Sequence, residues 1–334
     1  MKDVQETHQS SKQVQIEASN EGQRLDNFLI KSLKNVPKSR IYRMIRKGEV
    51  RINGKRAKPH AKLSLADWVR LPPMRMESSN AKTTTRFIPI LDDILEETEQ
   101  HLILNKRAGL AVHGGSGIQA GVIEAIRSQR PDLPYIELAH RIDRDTSGLL
   151  VLAKKRSFLR RFQSSLREKR GLIKQYELIV HGHWPTRIRR VDLRLSKMRL
   201  DSGERVCRVD ETGKESITRF EVIRRLSEMT WLRARPITGR MHQIRVHAAA
   251  SGHPIIGDPK YGNAVKDAKL TPRRMMLHAS SLKTSRYAGG GSDQEVIRLN
   301  LQAPTPDAFF ELADRYEYEG SIGADDRQSL GTEA

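Results

Sequence analysis

Apolar positions between residues 18 and 73 change from helical spacing to strand spacing. Apolar side chains three and four residues apart indicate two short helices, at Leu25, Phe28, Leu29 and Leu33 and then at Ile41, Met44 and Ile45. Ser39 is the expected N-cap of the second helix, and Gly48 is expected to end it. The alternation that follows, with Asn53-Gly54 as a two-residue turn, predicts a β-hairpin. The pattern as a whole predicts a compact helix-helix-hairpin module.

Beyond residue 86 the apolar runs are longer and most of them have strand character. The strand-like runs are LILN, GLLVLAKK, YELIVHGHW, SITRFEVI and TWLRARPI, and the helical patterns include VIEAIRSQ and SFLRRFQSSLREK. This mixture predicts an α+β domain with a large sheet.

Composition divides the remainder of the chain. Residues 1–17 are polar without periodicity and predict a flexible arm. Residues 74–86 are rich in Ser and Thr and predict a linker. Residues 311–334 carry seven acidic and two basic side chains and predict a helix turn followed by a frayed acidic tail. The small domain is therefore expected at 18–73 and the larger domain at 87–310.

Positive charge is concentrated in the small module. The chain has a formal net charge of +20, and residues 21–75 hold fifteen Lys and Arg against four Asp and Glu. The second helix and the hairpin bring basic side chains on or near one face: Arg40, Arg43, Arg46, Lys47, Arg51 and Lys55. Such a face suits the phosphates of a nucleic acid, although a solvated charged surface is the alternative for any charge run. Nucleic acid is the expected partner class.

Other classes are excluded by what the sequence lacks. No stretch approaches the roughly 20 apolar residues of a membrane span, and the N-terminal residues lack the apolar core of a signal peptide, so a soluble cytoplasmic protein without membrane contact is expected. The single cysteine, Cys207, excludes an internal disulfide and a cysteine zinc site. The Gly-rich residues 113–117 lack the Lys-Ser/Thr ending of a nucleotide P-loop, so a tight turn near the RNA is expected there. No carboxylate cluster completes a metal site with His242 and His247, which are expected to lie in the core or to face RNA.

The densest polar cluster lies directly before the apolar run LLVLAKK. It reads His140-Arg141-Ile142-Asp143-Arg144-Asp145-Thr146-Ser147-Gly148. A polar turn ahead of a buried strand holds its side chains at a cleft. On spacing alone a structural salt-bridge turn is favoured over a catalytic site. A metal-dependent hydrolase using Asp143 and Asp145 is a further alternative, whereas a protein-kinase loop is excluded because its Asp directly follows His-Arg.

Two resemblances make these patterns more specific. Most of residues 21–73 resemble the small RNA-binding domain shared by a small-subunit ribosomal protein, several RNA-modifying enzymes and heat-shock RNA binders. In residues 105–282, the ordered motifs NKRAGLAVHGGSG, HRIDRDTSGLLVLAKK, KQYELIVHG, RPITGRMHQIRVHAAASGHPIIGDPKYG and RMMLHASSL resemble the RluA-type pseudouridine synthases. Ile142 replaces the usual Leu, and Arg107 replaces the Pro that commonly follows Asn-Lys. Neither departure falls on the reacting group.

The resemblance implies a large mixed, mainly antiparallel sheet with flanking helices, and a reaction that rearranges uridine without a nucleotide, metal or other cofactor. It assigns Asp143 as the catalytic nucleophile or base and Arg245 as its positive partner. It also assigns Tyr176 to stack on the base and help remove a proton, Arg141 to enter the RNA stack when the uridine flips out, and Lys106 to bind substrate.

The two-domain arrangement is similar to that of bacterial members acting on large-subunit ribosomal RNA or its assembly intermediates. A synthase for transfer RNA and a noncatalytic RNA-binding regulator or chaperone remain alternatives. A monomer is expected, because no exposed apolar stripe or heptad is visible.

Overall fold

The chain forms two compact units, residues 1–84 and 85–334. The computed structural model describes residues 12–17, 20–33, 36, 38–73, 88–114, 120–167, 171–284 and 297–317. The predicted linker at 74–86, most of the predicted N-terminal arm and most of the acidic tail lie outside these residues, so their nature stays a prediction.

The first unit has two helices packed on a four-stranded antiparallel sheet. Its elements are β1 (Lys12–Gln15), α1 (Leu25–Ser32), α2 (Lys38–Lys47), β2 (Arg51–Ile52), β3 (Lys55–Arg56) and β4 (Trp68–Leu71), with the sheet order β1-β4-β2-β3. The apolar positions of both helices and of β4 form one buried core. The predicted helix-helix-hairpin module is confirmed.

Local details of the first unit confirm the hairpin turn and correct two boundaries. Asn53 and Gly54 both have positive φ values, 47° and 79°, as a two-residue turn between right-twisted strands requires. Helix α2 begins at Lys38, so Ser39 lies inside it and is not its N-cap. The arm predicted for residues 1–17 is wrong for its last residues, because β1 pairs with β4 and Ile16 is buried in the core.

The second unit is built on one 11-stranded sheet. Its strands are β5 (Ile94–Glu97), β6 (His101–Lys106), β7 (Glu137–Leu138), β8 (Ser147–Ala153), β9 (Leu172–His181), β10 (Arg190–Arg199), β11 (Arg205–Val209), β12 (Lys214–Arg225), β13 (Met229–Pro236), β14 (Leu277–Thr284) and β15 (Asn300–Gln302). The main order is β11-β10-β12-β13-β9-β14-β8-β6-β5, with β15 paired to β14 and β7 paired to β8. Every named pair is antiparallel except β14 with β8, so the predicted mixed, mainly antiparallel sheet is confirmed.

Helices cover the sheet and divide its core into clusters. They are α3 (Val122–Gln129), α4 (Arg156–Arg167), α5 (Gln243–Ala250), α6 (Ala264–Leu270) and α7 (Asp307–Arg315). The apolar face of α3 packs in one cluster, Phe158 and Phe162 of α4 pack in a second, and α5 and α7 pack in a third. The side chain of Tyr176 on β9 contacts the first and third clusters.

Two helices of this unit differ in how far the sequence predicted them. The residues after Met241, for which no helix was predicted, form α5, with the buried Ile244 and Ala248 four residues apart on one helix face. The helix turn predicted at the start of residues 311–334 is present, because α7 continues through Arg315 and Leu312 and Ala313 are buried in the core.

Candidate active site

Asp143 lies in the loop that joins β7 to β8. Its side chain is 23% exposed, so a ligand can reach it from solvent. The next residue, Arg144, has its backbone carbonyl fixed by two donors, the Lys106 ammonium at 2.9 Å and the Gly109 N–H at 3.0 Å. At the start of β8, Gly148 has φ +104° and a Cβ there would come within 2.3 Å of the Ala279 carbonyl oxygen, so the close approach of β8 to β14 requires glycine. The Asp143 loop is thus held at both ends.

Lys106 anchors this loop from the protein interior. Its side chain is fully buried, and Nζ donates to the carbonyls of Arg107, Leu110 and Arg144 at 2.8, 2.9 and 2.9 Å. Burial lowers the pKa of Lys106 to about 7, whereas three carbonyl acceptors require all three hydrogens of the charged ammonium. The prediction that Lys106 binds substrate is therefore corrected: it has no free donor and no exposed surface.

Arg245 lies between two carboxylates. From the first turn of α5, its Nη1 donates to Asp143 Oδ2 at 3.3 Å, as the sequence led us to expect. Its Nε and Nη2 donate to Asp258 Oδ2 and Oδ1 at 2.8 and 2.6 Å, a two-pronged contact buried on both sides. Burial opposes the charged form, but the hydrogen bonds and charge of Asp258, followed by those of Asp143, raise the pKa of Arg245. A permanent positive charge is thus fixed beside Asp143.

Asp258 was not among the residues predicted from the sequence. It lies in the turn after α5, where its Oδ1 also accepts the backbone N–H groups of Lys260 and Tyr261 at 2.9 and 3.1 Å. Burial opposes ionisation, yet the hydrogen bonds from Arg245 lower the pKa of Asp258 below its ordinary value. The signal that could have found it is the Gly257-Asp258 pair in a polar turn, since Gly257 has φ +72° and a Cβ there would lie 2.4 Å from the Arg274 carbonyl oxygen.

Tyr176 approaches Asp143 from the sheet. It lies on β9 opposite Ala234 of β13, and its ring is partly buried between two apolar clusters. Burial, and then the negative charge of Asp143, raise the pKa of Tyr176 far above its usual value. The phenol is therefore protonated at neutral pH.

His242 lies on another side of Asp143, together with Tyr261. His242 Nε2 is 3.8 Å from Asp143 Oδ2, and its Nδ1 is 2.8 Å from the Tyr261 hydroxyl oxygen. The Tyr261 ring also lies under the Arg245 guanidinium, with the Cζ atom 5.1 Å from the ring centroid. Sequence reasoning placed His242 only in the core or facing RNA, and it did not single out Tyr261.

Arg141 precedes Asp143 by two residues and is exposed. Within the described part of the chain its guanidinium makes no hydrogen bond or ion pair, which leaves it available for a ligand. In the Gly-rich stretch 113–117, Gly114 N–H donates to Glu124 Oε2 at 3.0 Å. Residues 115–117 lie outside the described ranges, and the predicted turn near RNA stays a prediction.

The basic residues of the first unit have a different setting. The side chains singled out on α2 and the hairpin are all exposed: Arg40, Arg43, Arg46, Lys47, Arg51 and Lys55. Of these, only Arg51 has a hydrogen bond among the described residues, to the carbonyls of Gly48 and Gly54 at 3.4 and 3.2 Å. No charged partner in the described chain neutralises this surface, as phosphate binding requires.

Metal-binding clusters and membrane-spanning helices are both absent from the described residues. These residues contain no group of three or more His, Cys, Asp or Glu side chains placed to hold a metal ion. None of their helices is both long and apolar enough to cross a membrane.

Known families and relatives match both units. The family described as RNA pseudouridylate synthase matches residues 100–250, and the S4 domain matches residues 23–69. The protein named Ribosomal large subunit pseudouridine synthase C from Salmonella typhimurium (strain LT2) is 47% identical over 309 residues, which cover 90% of this chain and 95% of that protein. Proteins of the same name from Escherichia coli (strain K12) and Haemophilus influenzae are 47% and 45% identical; the matches cover 87% of this chain in both cases, and 92% and 91% of those proteins.

Solved structures show the same fold. Human RNA Pseudouridylate Synthase Domain Containing 1 matches with a TM-score of 0.52 and 24% identity, covering 64% of this chain and 82% of that chain. Human RNA Pseudouridylate Synthase Domain Containing 4 matches with the same score and identity, covering 68% and 93%.

Proposed function

This chain belongs to the RluA-type RNA pseudouridylate synthases and carries an S4 domain, and from that premise we propose that it isomerises uridines of large-subunit ribosomal RNA with Asp143 as the reacting carboxylate. The enzyme is an isomerase. The observation that carries the site assignment is the Arg245 guanidinium, buried and held by Asp258, which presents its remaining prong to a partly exposed Asp143.

The arrangement suits the reaction because the carboxylate must stay ionised in an enclosed site. A carboxyl group shielded from water tends to protonate unless a positive partner favours its charged form. Arg245 supplies that partner, and it cannot lose its proton at physiological pH. Asp143 then acts on the ribose of the target uridine in one of two ways: it attacks the anomeric carbon, or it removes a neighbouring ribose proton to give a glycal.

Both routes break the bond from uracil N1 to the sugar, turn the base and rejoin it through carbon five. The proton on carbon five must leave after the new bond forms. Tyr176 is protonated at the outset, so its hydroxyl accepts that proton only while passing its own to another base. Its ring, packed between two core clusters, provides a rigid surface against which the turned base stacks.

Arg141 is proposed to enter the RNA stack when the target uridine swings out. Its exposed guanidinium has the planar shape that stacks on bases. Such an insertion offsets part of the unstacking free energy, which is a few kcal/mol. The fixed Asp143 loop places Arg141 only two residues from the reacting carboxylate.

The proposed RNA class rests on the relatives and on charge. The three relatives described above are named for the large ribosomal subunit, and the first unit exposes unpaired basic side chains suited to the phosphates of structured RNA. The three relatives are bacterial, and because a bacterial ribosomal subunit assembles in the cytoplasm, we propose that this protein acts there. We also propose that the protein acts as a monomer and needs no nucleotide or metal.

The test is release of tritium from large-subunit ribosomal RNA labelled at uracil carbon five. The protein is incubated with naked RNA and with partly assembled subunits, in chelator and without nucleotide, alongside Asp143→Asn. We expect release by the wild type and a loss of at least about a thousandfold in the variant, which removes the nucleophile but keeps its shape.

Other outcomes point elsewhere. Equal release by both proteins would mean that another carboxylate reacts. Tight binding without release from any ribosomal substrate would favour the regulator, and release from transfer RNA alone would favour the other substrate class. Strand cleavage that chelator abolishes would favour a hydrolase.

A further inference from the structure

We propose that His242 is a positioning residue that, together with Arg245, holds one oxygen of Asp143 and leaves the other to react. The inference rests on the proposed function, because it concerns the same carboxylate. It begins from the 3.8 Å between His242 Nε2 and Asp143 Oδ2 and the 3.3 Å between Arg245 Nη1 and that same oxygen.

The hydrogen bonds of Tyr261 assign the protonation of His242. The Tyr261 hydroxyl oxygen accepts the Cys207 backbone N–H at 2.7 Å and lies 2.8 Å from His242 Nδ1. Burial raises the pKa of Tyr261 to about 12, so the hydroxyl keeps its hydrogen at neutral pH. That hydrogen is donated to His242 Nδ1, because the backbone N–H occupies the other side of the oxygen.

His242 therefore accepts at Nδ1 and carries its hydrogen at Nε2, the atom that faces Asp143. Burial also lowers the pKa of His242, although the negative charge of Asp143 opposes this shift. The lowered pKa favours the neutral ring. The separation of 3.8 Å is too long for a hydrogen bond in the free protein. Hydrogen bonds of this kind shorten when a substrate closes the site.

Arg245 donates to Asp143 Oδ2, and His242 Nε2 lies 3.8 Å from the same oxygen. Within the described residues, the hydrogen bond from Arg245 reaches Oδ2 and none reaches Asp143 Oδ1. Donors on Oδ2 fix the plane of the carboxylate and draw negative charge toward that oxygen, while Oδ1 keeps its lone pairs. The geometry makes Oδ1 the oxygen that attacks the ribose or removes its proton.

The backbone of His242 is consistent with a residue placed for its side chain. It adopts a left-handed conformation, with φ 54° and ψ 20°, which is uncommon for residues other than Gly but which Asn, Asp and His adopt more often than other side chains do. Its carbonyl accepts the Val246 N–H at 3.0 Å and begins α5, so His242 and Arg245 project from one turn of chain. The neighbouring loop holds both through Tyr261 and Asp258.

Two substitutions of His242 separate its two ring nitrogens. His242→Gln keeps an N–H donor near the position of Nε2 and loses the acceptor toward Tyr261. His242→Asn keeps an acceptor near the position of Nδ1 but cannot reach Asp143, and asparagine tolerates the left-handed backbone. Tyr261→Phe removes the hydroxyl that fixes the tautomer and keeps the ring beneath Arg245.

The measurements are the single-turnover rate of tritium release with enzyme saturating over RNA, the affinity for the same RNA, and thermal unfolding. We expect His242→Asn to slow the bound reaction at least about tenfold, the lower end of what a hydrogen bond to a charged group contributes, without weakening RNA binding. His242→Gln should recover most of that loss. Tyr261→Phe should lie between them, and adding it to His242→Asn should cause no further loss.

The opposite results would overturn the inference. A wild-type rate in His242→Asn would show that His242 does not position the carboxylate. Equal losses in the Asn and Gln variants with a lowered unfolding temperature would give it a structural role. Asp143→Asn, measured in parallel, keeps the two proposals apart: if it retains the wild-type rate, the proposed function itself fails, whereas an inactive Asp143→Asn beside an unaffected His242→Asn removes only the role of His242.

Discussion

The basic face of the first unit and the Asp143 site of the second unit use charge in opposite ways. On α2 and the hairpin, Arg43 and Arg46 are exposed and have no partner among the described residues. Around Asp143, Arg245 is 2% exposed, and its donors are divided between two carboxylates. The charges of the basic face are left available for a ligand, whereas the charges around Asp143 are paired within the protein.

This difference predicts how each region responds to mutation. Exposed charges act on a ligand through a screened field, so each contributes modestly and depends on salt. Buried charges stabilise one another in a low dielectric, so removing one partner leaves the other uncompensated. Substitutions around Asp143 should therefore affect stability and the chemical step, while those on α2 should affect affinity.

The largest expected effect comes from Asp258→Asn. The amide keeps the shape and accepts from the loop N–H groups, but it leaves Arg245 without its closest counter-charge. We expect a loss of about 3–5 kcal/mol in the free energy of unfolding, measured by urea denaturation. Glu204→Gln is the matched control, because its 2.6 Å pair with Lys260 is half-exposed and should contribute no more than about 1 kcal/mol. Similar costs for the two variants would contradict the buried-pair account.

The second-largest expected effect is a loss of stability in acid that affects the second unit and not the first. Burial lowers the pKa of His247 and of His278 to about 4, from 6.5 in the unfolded chain. In this pH range the unfolded chain binds protons at these histidines, whereas the native unit keeps them neutral. The contribution of the neutral histidines to the free energy of unfolding is therefore fully present above about pH 6.5 and is lost as the pH falls toward 4. At pH 5.5 each of these two histidines should cost about 1.4 kcal/mol. His140, whose pKa burial lowers to about 3, should cost as much, so the second unit should lose roughly 4 kcal/mol.

Urea unfolding at pH 7.5 and 5.5 in a Trp68→Phe background measures this loss, because Trp184 and Trp231 then report the second unit alone. The first unit should show no comparable loss, since its one described histidine, His60, is exposed. Its transition is obtained from Trp68 as the difference between the wild-type and variant signals. Equal losses in the free energy of unfolding of the two units at pH 5.5 would contradict this prediction.

Lys106→Met tests whether a buried cation near Asp143 positions the loop or binds RNA. Three buried carbonyls lose their donor, and we expect a stability cost of about 1–3 kcal/mol, since removing the buried charge offsets part of the loss. The reaction of bound RNA should slow because the Asp143 loop is freed. Affinity and its salt dependence, followed by filter binding, should be unchanged; weaker binding with a normal rate would restore the substrate-binding role.

The smallest effect on stability, and the clearest on affinity, is expected from Arg43→Gln/Arg46→Gln. Stability should change by less than about 0.5 kcal/mol because both side chains are exposed. The slope of log affinity against log salt should decrease by about 0.7 to 0.9 for each phosphate that the variant no longer neutralises, with an unchanged single-turnover rate at saturating enzyme. Lys62→Gln removes an exposed charge elsewhere in the unit and should leave the slope near that of the wild type.

Much of the fold could be predicted from periodicity. The pattern of α3 and the hairpin turn at Asn53-Gly54 were predicted where the structure has them, because local spacing and backbone tolerance decide them. Helix α5 was not predicted, because its polar residues Gln243, Arg245 and His247 are buried and the helix therefore shows no regular alternation of apolar and polar faces. Their hydrogen bonds to distant residues satisfy them in the interior, and no local pattern indicates such partners. The pairing of Arg245 with Asp143 was expected only through the family motifs.

The sequence by itself determined the family, the two-domain order and the residues that we propose for the chemistry, because these depend on ordered motifs and on apolar spacing along the chain. Only the tertiary structure decided which charges neutralise one another. It brought Asp258 to Arg245, Tyr261 to His242 and Lys106 to the carbonyl of Arg144, a residue 38 positions away. Such pairings depend on distances between segments far apart in sequence, and the strength of each depends on how completely the fold excludes water from it.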